Sequence, residues 1–518
     1  MVIVVPVDGF AGKEEALRVQ VWETVAELLR PELGKLYRQF NPSGSAWEHK
    51  YPRPFGVVLG QQEPEVFRKL LKAGEKAQHE AVAFHLEAML RKADLGSAQN
   101  CVRDSILNRV PGDWDITTSA LPEQVKELFH RTVDTGIQHG TVTVMMDKEG
   151  FEVTTYRVDG EYHDGRHPDA VTFTRSLEED LKRRDFTINA MAYHPEHGLV
   201  DLFGGMKDID GKIIRCVGDP VERFTEDALR MLRAVRFSAQ LGFTVEENTK
   251  AALARMSGNL EHVSAERIQT ELVKLLVSDH PDYLRTAWET GLTREFLPEF
   301  DACMETEQNT PHHCYTVGEH ILKSLTEIEN DRLLRITMLL HDIAKPVVKK
   351  TDENGRDHFK THGPAGEKLA GKILRRLKFD NATIRNTCRL IRYHDLRPTP
   401  AAEDVRRSVN LIGEDLFPLY LKVQKADLLA QSTYRREEKL ARLGGVTETY
   451  QGILERGECT SLKTLAVSGK DLIKAGHPAG PELGDLLERL LDCVLKDPSL
   501  NTKEKLLETA EKDSMKTQ

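Results

Sequence analysis

Gly112-Asp113-Trp114-Asp115-Ile116-Thr117 sets two carboxylates at alternate positions of a short, strand-like run. In an extended segment alternate side chains share one face, so Asp113 and Asp115 point the same way. Two such carboxylates make a hard-oxygen site suited to Mg²⁺. Two-metal phosphoryl transfer needs that arrangement: one ion activates an attacking hydroxyl and the other steadies a departing pyrophosphate. A lone Asp-x-Asp is also what a solvated turn looks like, so its meaning depends on the flanks.

Thr141–Met146 and Glu152–Arg157 alternate apolar and polar residues around Asp147–Gly150, which predicts a β-hairpin. Glu152 is a candidate third acid for the metal site, or a residue on the solvent face. Further on, Arg183-Arg184-Asp185-Phe186-Thr187-Ile188-Asn189-Ala190 offers arginines to phosphates and Asp185 to a ribose hydroxyl, although a salt-bridged turn would read alike. The run Arg223–Phe237 contains Thr225-Glu226-Asp227-Ala228-Leu229-Arg230. Thr225 is the expected helix N-cap, and Asp227 and Arg230 are expected on one helix face, three residues apart. An acceptor beside a donor complements the edge shared by cytosine and adenine and repels guanine and uracil. In isolation the pair would be an ordinary surface ion pair.

In this order, Asp113–Leu128, the loop Arg157–Arg175, Arg183–Met191 and Gly218–Phe237 closely resemble the bacterial class II CCA-adding enzymes and the related poly(A) polymerases, over roughly residues 101–518. The resemblance implies α/β plus all-α architecture: a polymerase-β-like nucleotidyltransferase head, then a helical neck and body. It implies Mg²⁺ at the transferase site, CTP and ATP as substrates, and tRNA as acceptor. By the family pattern Asp113 and Asp115 hold the metal, with Glu152 completing the catalytic acids. Asp185 reads the ribose, and Asp227 with Arg230 acts as the template for the incoming base. Arg103, Arg184, Asn189, Arg233 and Arg236 are further nucleotide-binding candidates. Ala228 stands where poly(A) polymerases usually carry proline, which favours CCA addition over that alternative.

One departure stands out. Family members carry Gly-Gly before x-Val-Arg-Asp, where backbone approaches triphosphate closely. Here the segment reads Gln99-Asn100-Cys101-Val102-Arg103-Asp104. The family's preceding apolar strand is not legible in Arg91–Ala98 either. The expectations are therefore no strand here, a loosened sheet and weak nucleotide addition. A further alternative is an RNA-binding protein with an impaired head.

A second constellation lies downstream. His341-Asp342 ends the apolar run Leu333–Leu340, and His320, His362, His394 and Asp427 surround it in sequence. Imidazole and carboxylate ligands suit a divalent metal that can deliver hydroxide to phosphorus. The pattern resembles the HD phosphohydrolases. It implies His320, His341, Asp342 and Asp427 as the core ligands, His362 and His394 as those of binuclear members, and action on phosphate esters of nucleotides or RNA ends. A retained helical scaffold without metal is the alternative.

The 518 residues exceed one ordinary core. The reading divides them into a mostly helical segment 1–96, the head 97–215, a neck 216–300 with the nucleotide-selecting helix, an HD domain 301–435 and an RNA-binding tail 436–518. In the tail, Gly480-Pro481 opens a helix whose backbone N–H groups could meet a phosphate. Seven scattered cysteines without a Cys-x-x-Cys argue against a disulfide framework or zinc knuckle. A net charge of −10 requires any nucleic acid to meet a local basic face. No apolar run reaches the roughly 18 residues a membrane helix needs, and no signal peptide is evident, so the expected location is cytoplasmic.

Overall fold

The computed structural model describes residues 97–99, 101–107, 109, 115–146, 149–160, 171–194 and 198–517. The helical expectation for 1–96 lies outside the described residues, as do Asn100 and Asp113. Two compact units emerge, one ending at Gly211 and resuming over Arg215–Glu226, the other made of Lys212–Ile214 and the chain from Asp227 on.

The first unit is built on a seven-stranded sheet: β1 (Ser97–Gln99), β2 (Asp115–Thr118), β3 (Thr132–Gly136), β4 (Thr141–Met146), β5 (Glu149–Thr155), and then β8 (Met191–His194) and β9 (Gly198–Asp201). Its strand order is β3-β4-β5-β2-β1-β8-β9, with β2 and β5 parallel and the other neighbours antiparallel. A separate pair, β6 (Arg157–Asp159) and β7 (Val171–Phe173), forms its own small hairpin. The expected β4–β5 hairpin is present, closing at Met146 opposite Glu149. Alternation explains it. Val142, Val144, Phe151 and Val153 bury one face with Ile116, Val125 and Phe129, while Glu152 is exposed. Helices α1 (Cys101–Ile106), α2 (Pro122–Leu128), α3 (Leu177–Lys182), α4 (Gly205–Gly211) and α5 (Pro220–Glu226) complete the unit.

The expected absence of a strand before Cys101 is corrected. β1 pairs with β2 through Ser97, Ala98 and Gln99, and with β8 through Ala98 and Gln99, inside the sheet. Ser-Ala-Gln carries little apolar signal. A strand flanked on both sides is held by its ladder of backbone hydrogen bonds, which residue type does not report.

The second unit is helical apart from short pairs of strands. β10 (Ile213–Ile214) runs parallel to β11 (Thr244–Val245). α6 (Leu229–Leu241), α7 (Glu247–Met256) and α8 (Ala265–Leu276) lead into α9 (Leu284–Glu289), α10 (Thr293–Phe296) and α11 (Pro298–Met304). The region expected to be HD-like comprises α12 (Val317–Glu327), α13 (Arg332–Leu340), α14 (Lys345–Val348), the hairpin β12 (Lys350–Thr351) and β13 (Asp357–His358), α15 (His362–Arg376), α16 (Asn381–Tyr393), α17 (Ala402–Ile412) and α18 (Phe417–Ala430). The C-terminal body holds α19 (Arg436–Glu455), α20 (Gly469–Lys474), α21 (Pro481–Lys496) and α22 (Lys503–Thr517). No helix of the described residues is long and apolar enough to cross a membrane.

Candidate functional site

In the first unit the sheet register assembles a row of positions. Thr143, Glu152, Asp115, Gln99 and Ala192 are consecutive partners across β4, β5, β2, β1 and β8. Glu152 is exposed between buried Phe151 and Val153, so the row runs along the face away from the core. Two carboxylate positions, Asp115 and Glu152, thus adjoin. Gln99, one of the two residues standing where the sequence resemblance led us to expect glycine, is the next position along.

The same unit contains a polar knot. Asp185 is 8 % exposed; its Oδ1 accepts from the Phe186 N–H at 2.8 Å and from Asn189 Nδ2 at 3.0 Å. Arg103, on α1, donates to Asn189 Oδ1 at 2.6 Å and chelates Asp104. Arg184 reaches the Asn189 carbonyl at 3.5 Å and lies 3.7 Å from the buried carboxylate of Asp180. The structure therefore brings Arg103, Arg184, Asp185 and Asn189 together, a short 3₁₀ turn at Thr187–Asn189 aiming the last two.

The segment expected to select the nucleotide runs from the end of the first unit, at Glu226, into the second, and its local structure differs from expectation. Thr225 lies inside α5, with its hydroxyl bonded to the Val221 carbonyl, and is not the N-cap. Asp227 precedes α6, which starts at Leu229 and carries Arg230. It bends the chain by accepting from the Leu229 N–H at 3.0 Å and pairs with Arg267 on α8 at 2.7 Å. Arg230 and Arg233 are half-buried on α6, and Arg233 leans on Phe237. Arg236 departs furthest from a nucleotide contact. It is 6 % exposed, donates to Glu271 at 2.8 Å and to Gln240 at 2.9 Å, and stacks 3.5 Å from the Phe237 ring centroid. An arginine committed to an interior carboxylate and a ring is an anchor between α6 and α8.

The histidines converge. His320 lies in α12; His341 caps the C-terminus of α13, His362 opens α15, His394 caps α16, and Asp427 lies in α18. Local chemistry places them. Thr316, Asp331 and Asp380 cap the starts of α12, α13 and α16, and the buried apolar run of α13 ends at His341. Asp342, 1 % exposed, is shared by two groups. Its Oδ2 lies 3.5 Å from His320 Nε2 and 3.3 Å from His341 Nε2, while its Oδ1 lies 3.4 Å from His394 Nε2 and 3.6 Å from His362 Nε2. Asp427 Oδ1 joins the first group, 3.1 Å from His320 Nε2. Among the described residues, His320, His341 and Asp342 form one group with metal-ligand spacing, and Asp342, His362 and His394 form the other.

The imidazole hydrogen bonds identify which nitrogens face the centre. His341, His362 and His394 each donate Nδ1–H to the carbonyl three residues earlier, of Met338, Phe359 and Ile391, at 2.7–2.8 Å. His320 does the same more weakly to Ala430 at 3.4 Å. Each Nε2 then carries a lone pair. Yet His320 and His341 face each other nitrogen to nitrogen at 3.2 Å, and His362 and His394 at 3.1 Å. Two acceptors do not bond each other; a cation between them resolves the contact. The donor set fits a divalent metal on that ground.

Burial acts to raise the carboxyl pKa of Asp342, but the Lys345 ammonium and the His341 and His394 rings outweigh it and hold the group well below the usual range. At Asp427 burial is likewise outweighed, here by His320 and Arg397. Burial and neighbouring His394 push His362 down, which keeps it in the neutral, ligating form. Three residues escaped the sequence reading. Lys345 lies 2.7 Å from Asp342, Arg397 2.8 Å from Asp427, and Gln431 3.1 Å from Asp427. Their i+3 or i+4 spacing from Asp342, His394 and Asp427 was the available signal.

Comparison with known proteins follows the same order along the chain. Residues 99–215 match the family described as the poly A polymerase head domain, 242–304 the RNA and SrmB-binding site of polymerase A, and 364–510 tRNA nucleotidyltransferase domain 2. The CCA-adding enzyme of Leuconostoc mesenteroides is 36 % identical over 409 residues, covering 77 % of this chain and 88 % of that protein. The CCA-adding enzyme of Bacillus subtilis is 37 % identical over 416 residues, covering 79 % and 91 %. The crystal structure of the Bacillus stearothermophilus CCA-adding enzyme in complex with CTP superposes with a TM-score of 0.61 at 28 % identity, covering 84 % of this chain and 97 % of that one.

Proposed function

The chain belongs to the CCA-adding enzyme and poly(A) polymerase family of nucleotidyltransferases, and from that premise we propose how its residues divide the work of adding C, C and A to tRNA 3′ ends from CTP and ATP. The observation that carries the activity is the likeness to CCA-adding enzymes across most of their length. At the head, Asp115 with Asp113 two residues before it holds Mg²⁺, and Glu152 on the adjoining strand supplies the third acid. Mg²⁺ held there would supply Lewis-acid activation of the 3′-hydroxyl and charge neutralisation at the pyrophosphate. Asp185, its carboxylate already aimed by Phe186 and Asn189, accepts from the ribose. Arg184 and Arg103 meet the triphosphate. Asp227 and Arg230 read the base edge, and Arg236 holds their helix in place through Glu271. Incubation of the protein with tRNA lacking its CCA end and each labelled nucleotide tests this. Incorporation of CTP followed by ATP, without UTP or GTP, is expected, and ATP-only tailing would instead make it a poly(A) polymerase.

A second active site is favoured by the paired histidine groups around Asp342. We propose that His320, His341, Asp342 and Asp427 hold one divalent ion and His362 and His394 hold another through the shared Asp342, as in an HD phosphohydrolase. Ions held by these residues would supply Lewis-acid activation of water and of a phosphate ester. Lys345 and Arg397 neutralise the two ligating carboxylates and fix their orientation. Metal analysis of the purified full chain tests it. Fewer than one bound ion, with no release of p-nitrophenol from p-nitrophenyl phosphate under any divalent metal, would return the region to a scaffold.

A further inference from the structure

Above the histidine centre opens a cavity of about 550 Å³, in the size range that holds a nucleotide-sized ligand. Its floor is Asp342, His362, His394 and Asp427. Its mouth has two cationic walls. One is the segment around the β12–β13 hairpin, carrying Arg356 and Lys360. The other is the first turns of α19, where Lys439 and Arg442, three residues apart, share a face.

The charge balance of those walls is one-sided. Of the carboxylates at the mouth, Asp357 is matched to Lys349 at 2.9 Å and Glu438 to Arg435, while Arg397 serves both Asp395 at 3.3 Å and Asp427 at 2.8 Å. Lys439 donates to Gln431 Oε1 at 2.8 Å and Arg442 to the carbonyls of Pro398 and Arg397, all neutral acceptors. The side chains of Arg356 and Lys360 have no ion-pair or hydrogen-bond partner among the described residues. Four positive charges therefore face one opening of a chain whose net charge is −10. The field is felt nearby: after burial, Lys439 and Arg356 are what push the His312 pKa down. The acids beside them in sequence, Asp357 and Glu438, are engaged by Lys349 and Arg435, so these four cations line the cavity without an acid of their own.

Resting on the phosphohydrolase reading of the floor, we infer that Arg356, Lys360, Lys439 and Arg442 form a subsite for a second phosphate, so that the centre takes a nucleotide bearing two separated phosphates, one over the metal ligands and one at the rim. The terminal residue of an RNA with a 3′-phosphate and a free nucleoside 3′,5′-bisphosphate present that same chemistry.

The test is calorimetric titration of the full chain, in Ca²⁺ so that the floor carries a divalent ion, with adenosine 3′,5′-bisphosphate and with adenosine 3′-monophosphate. It is repeated on Arg356→Ala/Lys360→Ala and on Lys439→Ala/Arg442→Ala. Any binding by the head is common to all three proteins, so the difference reads the cavity. The ratio of bisphosphate to monophosphate affinity should fall about tenfold in each double variant, since hydrogen bonds to charged groups are worth that much or more. The ratio of kcat/KM for the two ligands with Mn²⁺ should fall in parallel. A 3′-phosphorylated RNA oligonucleotide separates the sources: tighter binding than the free bisphosphate assigns the subsite to RNA ends, weaker binding to free nucleotides. An unchanged affinity ratio in a chain that hydrolyses p-nitrophenyl phosphate overturns the subsite alone. A parent chain that hydrolyses no phosphate ester with any divalent ion overturns the reading of the floor.

Discussion

Gly363→Ala isolates the geometry of the histidine centre without touching a ligand. Gly363 follows His362 at the start of α15, and a Cβ there would lie 2.6 Å from the carbonyl oxygen of Arg392 and 3.5 Å from that of Ile391. Ordinary contact begins near 3.4 Å, so the two helices must separate by about 0.8 Å at this point. The obstruction is backbone and cannot swing aside. Arg392 is two residues before His394, and the Ile391 carbonyl is what orients the His394 ring. The displacement therefore falls on the 3.1 Å separation between His362 and His394. Overpacking of this kind costs roughly 1–3 kcal/mol of stability, and a ligand moved off its orientation loses about 10–100-fold in metal affinity. The assay is metal stoichiometry against free Mn²⁺ alongside thermal unfolding and nucleotide addition. The ion held by His362 and His394 should be weakened and phosphate-ester hydrolysis lost, with His320, His341 and Asp427 still binding. Two ions bound with parental affinity would refute the close-contact argument.

Asp115→Ala should reduce nucleotide addition by at least about 10³-fold, several kcal/mol of transition-state stabilisation, with tRNA binding retained; near-parental incorporation would remove Asp115 from the metal site. Asp227→Ala should lower discrimination for CTP and ATP over UTP and GTP and also cost about 1 kcal/mol of stability through the lost helix-entry bond. Arg267→Ala, which breaks only the ion pair, is the control, and equal loss of selectivity in both would make Asp227 a structural residue. Asp342→Ala should empty both metal positions while nucleotide addition persists, checked by elemental analysis and by tRNA extension in the same preparation. Gln99→Gly with Asn100→Gly should raise turnover on tRNA lacking CCA, because Gln99 is the in-register neighbour of Asp115; unchanged turnover would mean the triphosphate pocket already accommodates both side chains.

The parts of the molecule legible in advance were those whose signal is carried by side-chain type. Alternation in Thr141–Thr155 reports one buried face, and it produced the β4–β5 hairpin. Imidazole and carboxylate are ligands wherever they stand, so the histidine set could be read before its geometry. What escaped is carried by backbone or by distant partners. β1 is made by hydrogen bonds on both edges, and Ser97-Ala98-Gln99 has no apolar pattern to announce it. Thr225 and Asp227 are both acceptable helix caps, and the break between α5 and α6 decides between them. Arg236 stood among the nucleotide-binding candidates, and its interior partner, Glu271, is 35 residues away in sequence, where no local pattern reports it.

The position of β1 also bears on how the head folds. Ala98 pairs with Ile116 on one edge and with Tyr193 on the other, a separation of 95 residues (193 − 98). The β2–β5 core can form from chain already made, but β1 has no second edge until β8 is available. Contacts of such sequence separation demand loop closure before they reward it, and they slow folding. During synthesis at about 5–20 residues per second, the strand beside Asp115 therefore waits several seconds with one edge open, and an unpaired edge is a place where another chain can add. The row that carries Asp115 and Glu152 is thus completed late, by a partner strand translated long after those residues.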